Sequence, residues 1–306
     1  MSTVPAPEPS GPFEARYLAF LATVQNLRPS LHRYCSRMTG SVLDGEDVVQ
    51  DALFEAYRKL DQYDESRPMG PWLFRIAHNR CIDLLRRRGV RVEAESVAME
   101  PDRVEPSEPA VLGLGRALER MVSHLPPKER ACVLLKDVFD YTLEEIAELV
   151  DSTVGGVKAA LQRGRAKLAG LSEHAPQPAP QDPEAHRLLH LYVERFNRRD
   201  WDKVRELISD DARLRVADRF RGAVKESPYF GNYERWDKPW RLAEGTLDGQ
   251  PVVIVLLRDD RGQFIPNAVV HLEITGGLIQ NIRDYVHCPW LLDAATSLAV
   301  RPAFEN

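Results

Sequence analysis

Two stretches of this chain cannot contribute to a hydrophobic core, and they cut it into three parts. Residues 92–109, VEAESVAMEPDRVEPSEP, hold six acidic residues against one Arg, together with three prolines. Residues 172–184, SEHAPQPAPQDPE, have the Pro-, Ala- and Gln-rich composition of an extended linker. A chain of 306 residues interrupted in this way is multidomain, with two or three small cores. The expected plan is a disordered lead-in over 1–12, a first domain over 13–91 and an acidic linker over 92–110. A second domain over 111–171, a Pro-rich linker over 172–183 and a third domain over 184–306 complete it.

The first two domains read as all helical. Apolar residues recur at steps of three and four, and Gly and Pro cluster only at loop positions. LPPKERACVLL puts Pro127 where a first helical turn tolerates it. Thr142 with Glu145 forms a capping-box pattern opening TLEEIAELV. After the second linker the texture changes. The helical AHRLLHLYVERFNRRD and WDKVRELIS precede β-like runs, ARLRVA, PVVIVLLR, NAVVHLEIT and LIQNIRDYV, separated by the turn signals DG, DDRG and GG. The third domain is therefore α+β, with helices first and a curved antiparallel sheet after.

Several classes of function are disfavoured early. Net charge is −5 with pI near 6.0, so bulk charge leaves no footprint of a free-standing nucleic-acid binder, and any such role needs local segregation of charge. Cys35, Cys81, Cys132 and Cys288 are widely spaced, as in a reduced cytosolic protein without a disulfide framework or zinc site. No apolar run approaches about 18 residues, and MSTVPAPEPSGP lacks a positive-then-apolar signal pattern. A cytoplasmic protein with no membrane association, metal or cofactor is expected.

Charge is segregated in two places. In GPWLFRIAHNRCIDLLRRRG, residues 70–89, helical spacing gathers Leu73, Ala77, Cys81 and Leu84 on a core face. Trp72, Arg75, Asn79 and Arg86 fall on the opposite stripe, with Asp83 at its edge. Such a stripe is either a solvated face or a nucleic-acid platform, in which Arg meets phosphate, the ring stacks on an unpaired base and Asn reads an edge. The second place is YTLEEIAELVDSTVGGVKAALQRGRAKL, which has the layout of a helix-turn-helix: a capped helix, a polar turn over 151–153, then a basic helix. Val157, Leu161 and Leu168 face inward. Lys158, Gln162, Arg163 and Arg165 face outward, with small Gly155 and Ala159 between them, which suits a helix entering a major groove.

These residues carry a resemblance. DGEDVVQDALFEAYRKLDQYDESRPMGPWLFRIAHNRCIDLLRRR, residues 44–88, resembles region 2 of the extracytoplasmic-function sigma factors of bacterial RNA polymerase, and residues 125–168 resemble their region 4. The resemblance implies that Asp47, Gln50 and Asp51 dock a basic helical pair of core RNA polymerase. It implies that the loop 61–70, beginning at Asp61, receives a flipped base of the promoter −10 element, its Gly and Pro suiting an unusual backbone. Trp72, Arg75, Asn79 and Arg86 then line the melting surface, and Lys158, Ala159, Gln162 and Arg163 read the −35 element of promoter DNA. Many relatives carry Ser and Arg where Ala159 and Ala160 stand here, so the −35 sequence read by this chain differs or depends more on DNA shape. The acidic spacer resembles the family's linker through the RNA exit path, where negative charge discourages the isolated chain from holding DNA.

Residues 184–300 resemble the SnoaL-like branch of the NTF2-like fold, through YVERFNRRDWDKVRELISDDARLRV and VVHLEITGGLIQNIRDYV. The resemblance implies a regulatory domain acting in cis, with a small-molecule ligand or an anti-sigma factor as a further partner. Tyr233, Trp240, His271, Asp284 and His287 are its candidate pocket residues. Alternating spacing sets Tyr285 and His287 on one strand face, and relatives of this fold use Asp and His for acid–base chemistry. Satisfied pocket or edge residues are the simpler reading, and no enzymatic role is expected. Two alternatives stay open: a ligand-responsive helix-turn-helix regulator acting without polymerase, and a small-molecule enzyme with a DNA-binding appendage.

Overall fold

The computed structural model describes residues 12–88, 124–169, 183–217 and 219–301. Residues 1–11 of the lead-in, the acidic linker and residues 172–182 of the Pro-rich linker lie outside the described residues. The chain falls into two compact units, Met1–Glu173 and His174–Asn306.

The first unit is helical. α1 (Pro12–Thr39), α2 (Val42–Arg58) and α3 (Met69–Arg87) pack against one another. α2 starts at Ser41, whose hydroxyl accepts from the Asp44 amide at 3.3 Å. Gly45 is where α2 meets α1: a Cβ there would lie 2.6 Å from the Ser36 backbone, so no larger residue permits this approach. α4 (Pro127–Val133) continues as a π-helical turn over Leu134–Val138, followed by α5 (Leu143–Leu149) and α6 (Val154–Ala169). Gly164 allows α6 close against α4, since a Cβ there would meet Val133 Cγ2 at 2.9 Å.

The two helical segments share a single hydrophobic core, which runs from Tyr34, Val49, Leu73 and Phe74 to Cys132, Leu135, Ile146 and Leu161. Rings stitch the seam: Phe139 lies 6.0 Å from Tyr34 and 5.7 Å from Phe74, and Tyr141 lies 5.6 Å from Phe74. Arg130, 6% exposed, donates through Nε and Nη2 to the Leu125 carbonyl at 3.2 and 2.9 Å and through Nη1 to the Met38 carbonyl. That last acceptor is one of the orphan carbonyls at the end of α1, so the guanidinium caps α1 from α4.

The second unit opens with α7 (Pro183–Asn197) and α8 (Trp201–Arg205). A seven-stranded sheet follows: β1 (Ile208–Val216), β2 (Phe220–Ala223), β3 (Trp240–Leu247), β4 (Gln250–Arg258), β5 (Phe264–Thr275), β6 (Leu278–Asp284) and β7 (Leu298–Val300), in the order β2-β1-β6-β5-β4-β3-β7. α9 (Tyr229–Glu234) precedes β3, and α10 (Trp290–Ala294) precedes β7. The turn signals are realised as left-handed backbone at Asp248 and Gly249, at Gly262, and at Gly276 and Gly277. The sheet is antiparallel except that β1 pairs with β6 in parallel, because the meander β3–β6 returns to the early hairpin in the same direction as β1. Register shifts in the β1–β6, β4–β5 and β5–β6 pairs bend the sheet around a core of Leu188, Tyr192, Phe196, Val253 and Val270.

Candidate nucleic-acid and partner interfaces

α3 buries Leu73, Phe74, Ile76, Ala77, Cys81 and Leu85; the inward stripe ends on Leu85, with Leu84 only half-buried. Arg75, Asn79, Asp83 and Arg86 are exposed on the opposite side. Trp72 begins that stripe half-buried, its ring 4.9 Å from Tyr63 at an interplanar angle of 41°. Tyr63 belongs to the loop between α2 and α3, where its hydroxyl donates to the Arg67 carbonyl and Asp64 accepts from the Ser66 amide at 3.0 Å. Asp61 is exposed, 3.9 Å from Arg16. The arginine run divides: Arg88 pairs with Asp44 on α2 at 2.8 Å, whereas Arg86 has Asp83 at 3.9 Å. Trp72 and the exposed cations thus share one surface with an ordered loop, while Arg88 serves the fold.

On α2, Asp47, Gln50 and Asp51 are half-buried, and the Gln50 amide donates to Glu46 Oε1 at 3.2 Å. Glu46 is buried and paired with Arg28. The same side of the helix continues to Phe54, 65% exposed, and Tyr57, whose ring lies 5.7 Å from Tyr17 on α1. Leu18 and Leu21 of α1 are also exposed. Phe54 went unnamed in the sequence reading, although its place three and four residues beyond Asp51 and Gln50, off the core stripe, was available as a signal.

The helix-turn-helix is assembled as its sequence suggests. The Thr142 amide donates to Glu145 Oε2 at 2.8 Å and the Glu145 amide to Thr142 Oγ1 at 3.2 Å, a complete capping box. Asp151 takes a positive φ of 52° in the turn, and Thr153 Oγ1 accepts from the Gly156 amide at 3.0 Å as α6 begins. Val157, Ala160, Leu161, Gly164 and Leu168 are buried; Lys158, Gln162, Arg163 and Arg165 are exposed, and Ala159 is half-buried. Ala160 therefore faces the core, and of Ala159 and Ala160 only Ala159 borders the outer face. Two outward cations are tied down by partners that sequence could not supply: Arg163 donates to Glu129 at 3.0 Å and Arg165 to Asp137 at 2.5 Å. Glu129 is itself buried and also meets Lys167 at 3.1 Å.

In the second unit, Tyr233, Trp240 and Asp284 come together. Asp284, 1% exposed, accepts from the Tyr233 hydroxyl at 2.7 Å and the Val286 amide at 2.8 Å, and Trp240 Nε1 donates to the Tyr233 carbonyl at 2.9 Å. Burial pushes the Asp284 carboxyl above its ordinary range, against the lowering effect of those two donors. His271 does not join them. It pairs across the sheet with Arg283 rather than Asp284, so it lies on the opposite face, with Arg283 Nη2 3.2 Å from its Nδ1. His287 is exposed, because β6 ends at Asp284 and the chain turns there, the Cys288 amide donating to the Tyr285 carbonyl at 2.8 Å. The strand reading through Val286 overran by two residues, and Tyr285 and His287 share no strand face. Among the described residues no cluster of His, Cys, Asp and Glu is arranged to hold a metal ion, and no helix is long and apolar enough to cross a membrane.

A helical segment whose outer stripe carries half-buried Trp72 beside exposed Arg and Asn, joined through one core to a helix-turn-helix, fits a sigma-70-type protein: residues 23–91 match Sigma-70 region 2 and residues 115–168 match Sigma-70 region 4. The ECF RNA polymerase sigma factor SigW of Bacillus subtilis is 33% identical over 162 residues, covering 49% of this chain and 87% of SigW. SigG of Mycobacterium tuberculosis is 31% identical over 229 residues, covering 66% of this chain and 62% of SigG's own length. The chain belongs to the ECF RNA polymerase sigma factors. The crystal structure of the Mycobacterium tuberculosis sigma factor SigJ is a looser likeness over a longer stretch, with 17% identity, a TM-score of 0.35 and coverage of 90% of this chain and 99% of that one.

Proposed function

We propose that this protein is a transcription initiation subunit that directs bacterial core RNA polymerase to promoters in the cytoplasm, with a SnoaL-like C-terminal domain regulating it in cis. The observation that carries the reading is the coexistence of two differently built surfaces in one helical unit: the Trp72, Arg75, Asn79 and Arg86 stripe, and the outer face of α6. A regulator that only bound duplex DNA would need the second and not the first. In this reading α2 docks polymerase through Asp47, Gln50 and Asp51 with Phe54 as an apolar anchor. Asp61 and the α3 stripe engage the separated −10 strands, while Lys158, Gln162 and Arg163 meet the −35 duplex beside Ala159. The protein itself carries out no chemistry; the polymerase does. An anti-sigma factor fits as a separate negative partner.

The test is in-vitro transcription with core polymerase, comparing the full chain with residues 1–174. Promoter-dependent RNA is expected from at least one form, with a rate that differs between the two. RNA from neither form at any bacterial promoter refutes the sigma reading, and equal rates refute regulation by the C-terminal domain. A mobility shift of duplex DNA as strong without polymerase as with it would instead favour the stand-alone regulator.

A further inference from the structure

The strand register that takes His271 away from Asp284 also assembles a basic row on the outer face of the sheet. Arg221 of β2 stands opposite Arg215 of β1, Arg215 stands beside Arg283 of β6, and Arg283 stands opposite His271 of β5. The row crosses four neighbouring strands, β2-β1-β6-β5. Arg213 adds a further guanidinium on the same face, because Leu214, between it and Arg215, is the residue that enters the core. Arg213 and Arg221 are exposed, and Arg215 and Arg283 are half-buried. Like charges directly opposite one another weaken a sheet, and Arg215 has an arginine on each side. Glu273 pairs with Arg283 at 2.6 Å and so offsets one member of the row. Folding gives no reason to line arginines up across strands, and local rules broken in this way mark places where function is sought.

The spacing defines what the row can hold. Neighbouring strands lie about 4.8 Å apart, so Arg221 and Arg283 stand about 10 Å apart, and Arg213 lies about 7 Å along the strand from Arg215. That spread exceeds a single phosphate or carboxylate and suits a chain of anions at regular intervals. Each of these four cations is an arginine, whose weakly hydrated planar fork matches phosphate oxygens. A second copy is a poor occupant, since a two-fold interface through this face would set the row against itself. Chain length favours DNA over an acidic protein. The stretch from Ala169, at the end of α6, to Pro183, at the start of α7, spans at most about 50 Å fully extended. With α6 on the −35 duplex, the sheet face is tethered near the same DNA at an effective concentration of roughly millimolar order. No acidic protein is tethered to it in this way.

We propose that Arg213, Arg215 and Arg221 hold the phosphate backbone of duplex DNA flanking the −35 element, so that the C-terminal domain is a third DNA-contacting surface of this protein. The contacts are sequence-independent: they add affinity and position the domain without adding base preference. The inference rests on the sigma-factor reading, because it needs α6 on the duplex.

The experiment measures the salt dependence of promoter-duplex binding by holoenzyme reconstituted from core polymerase and the full chain. Wild type is compared with the triple variant Arg213→Gln, Arg215→Gln, Arg221→Gln and with the matching triple to Lys. Each phosphate contact contributes about 0.9 to the slope of log affinity against log salt, so the Gln triple should lower the slope by about 2 and the Lys triple should keep it. Scrambling the flanking sequence outside the −35 and −10 elements should leave all three slopes unchanged. A fall of less than about 0.9 in the Gln triple, which is one contact, overturns the proposal, as does an equal fall in the Lys triple. A Gln triple that keeps its slope but loses affinity for core polymerase overturns it in favour of an acidic protein surface. Wild type that supports no transcription refutes the sigma reading instead. The face is then judged from the free chain on plain duplex at low salt, where no binding, or an unchanged slope in the Gln triple, overturns this proposal as well.

Discussion

Lys158 and Arg163 lie five residues apart on the outer side of α6, yet their surroundings differ enough to separate their effects. Arg163 donates to Glu129 at 3.0 Å, and the Glu129 side chain is only 7% exposed, with Lys167 as its other cation. Arg163→Ala leaves a buried carboxylate half-partnered, at a cost of about 1–3 kcal/mol of stability. Lys158 is exposed on a helix surface, where substitution by Ala changes stability by about 0.5 kcal/mol or less. On DNA the order reverses. A phosphate contact contributes roughly 0.9 to the slope of log affinity against log salt, so Lys158→Ala should lower that slope by about 0.9. Between 50 and 200 mM salt, a fourfold change, its deficit against wild type should shrink by roughly 3.5-fold, which is four raised to that power. Arg163→Ala should change the slope by a third of this or less, because its charge is already shared with Glu129. The assay is anisotropy of a labelled promoter duplex bound by the reconstituted holoenzyme at three salt concentrations, with urea unfolding of each free variant. A full loss of slope in Arg163→Ala and none in Lys158→Ala would refute the reading that Glu129 shares the charge of Arg163 while Lys158 meets phosphate freely.

Three further outcomes are expected. Phe54→Ala should weaken binding to core polymerase by more than about fivefold, as truncation of an aromatic anchor does, without lowering the Tm of a protein in which that ring is 65% exposed; sedimentation or anisotropy with core enzyme measures it. Arg130→Met should destabilise the helical unit by about 2–4 kcal/mol, since the Met38 and Leu125 carbonyls lose their donor, and hydrogen exchange should rise at the end of α1 and the start of α4. Burial lowers the His78 imidazole to about 4 beside the Tyr34 hydroxyl, so His78 stays neutral in the fold while the unfolded chain takes up a proton near 6.5. Its contribution is therefore present above pH 6.5 and lost as pH falls towards 4, in total about 3 kcal/mol, and His78→Gln should flatten that part of the stability profile.

The sequence reading succeeded where periodicity and capping act locally. The α3 stripe, the Thr142–Glu145 box, the turn at 151–153 and the three glycine-bearing hairpins all depend on neighbours within a few residues. It fell short where a side chain's partner comes from far along the chain. The fold resemblance grouped His271 with Asp284 among the pocket residues, but strand register sets them on opposite faces. Tyr285 and His287 were expected on one strand face, and the turn closed by Tyr285 and Cys288 takes both off the strand. Ala160 looked like a missing DNA contact until helix packing turned it inward.

By itself, the order of residues determined the division into helical and α+β parts, the two surfaces of the helical part and their kinship, because these are written in spacing, composition and short motifs. Tertiary structure alone decided that two helical segments separated by an acidic stretch share one core, that Arg163 answers to Glu129, and that Tyr233 meets Asp284 among the rings of Phe196 and Trp240. Each of these depends on which distant groups are brought within a few ångströms and shielded from water, and pairing at that range leaves no periodic trace along the chain.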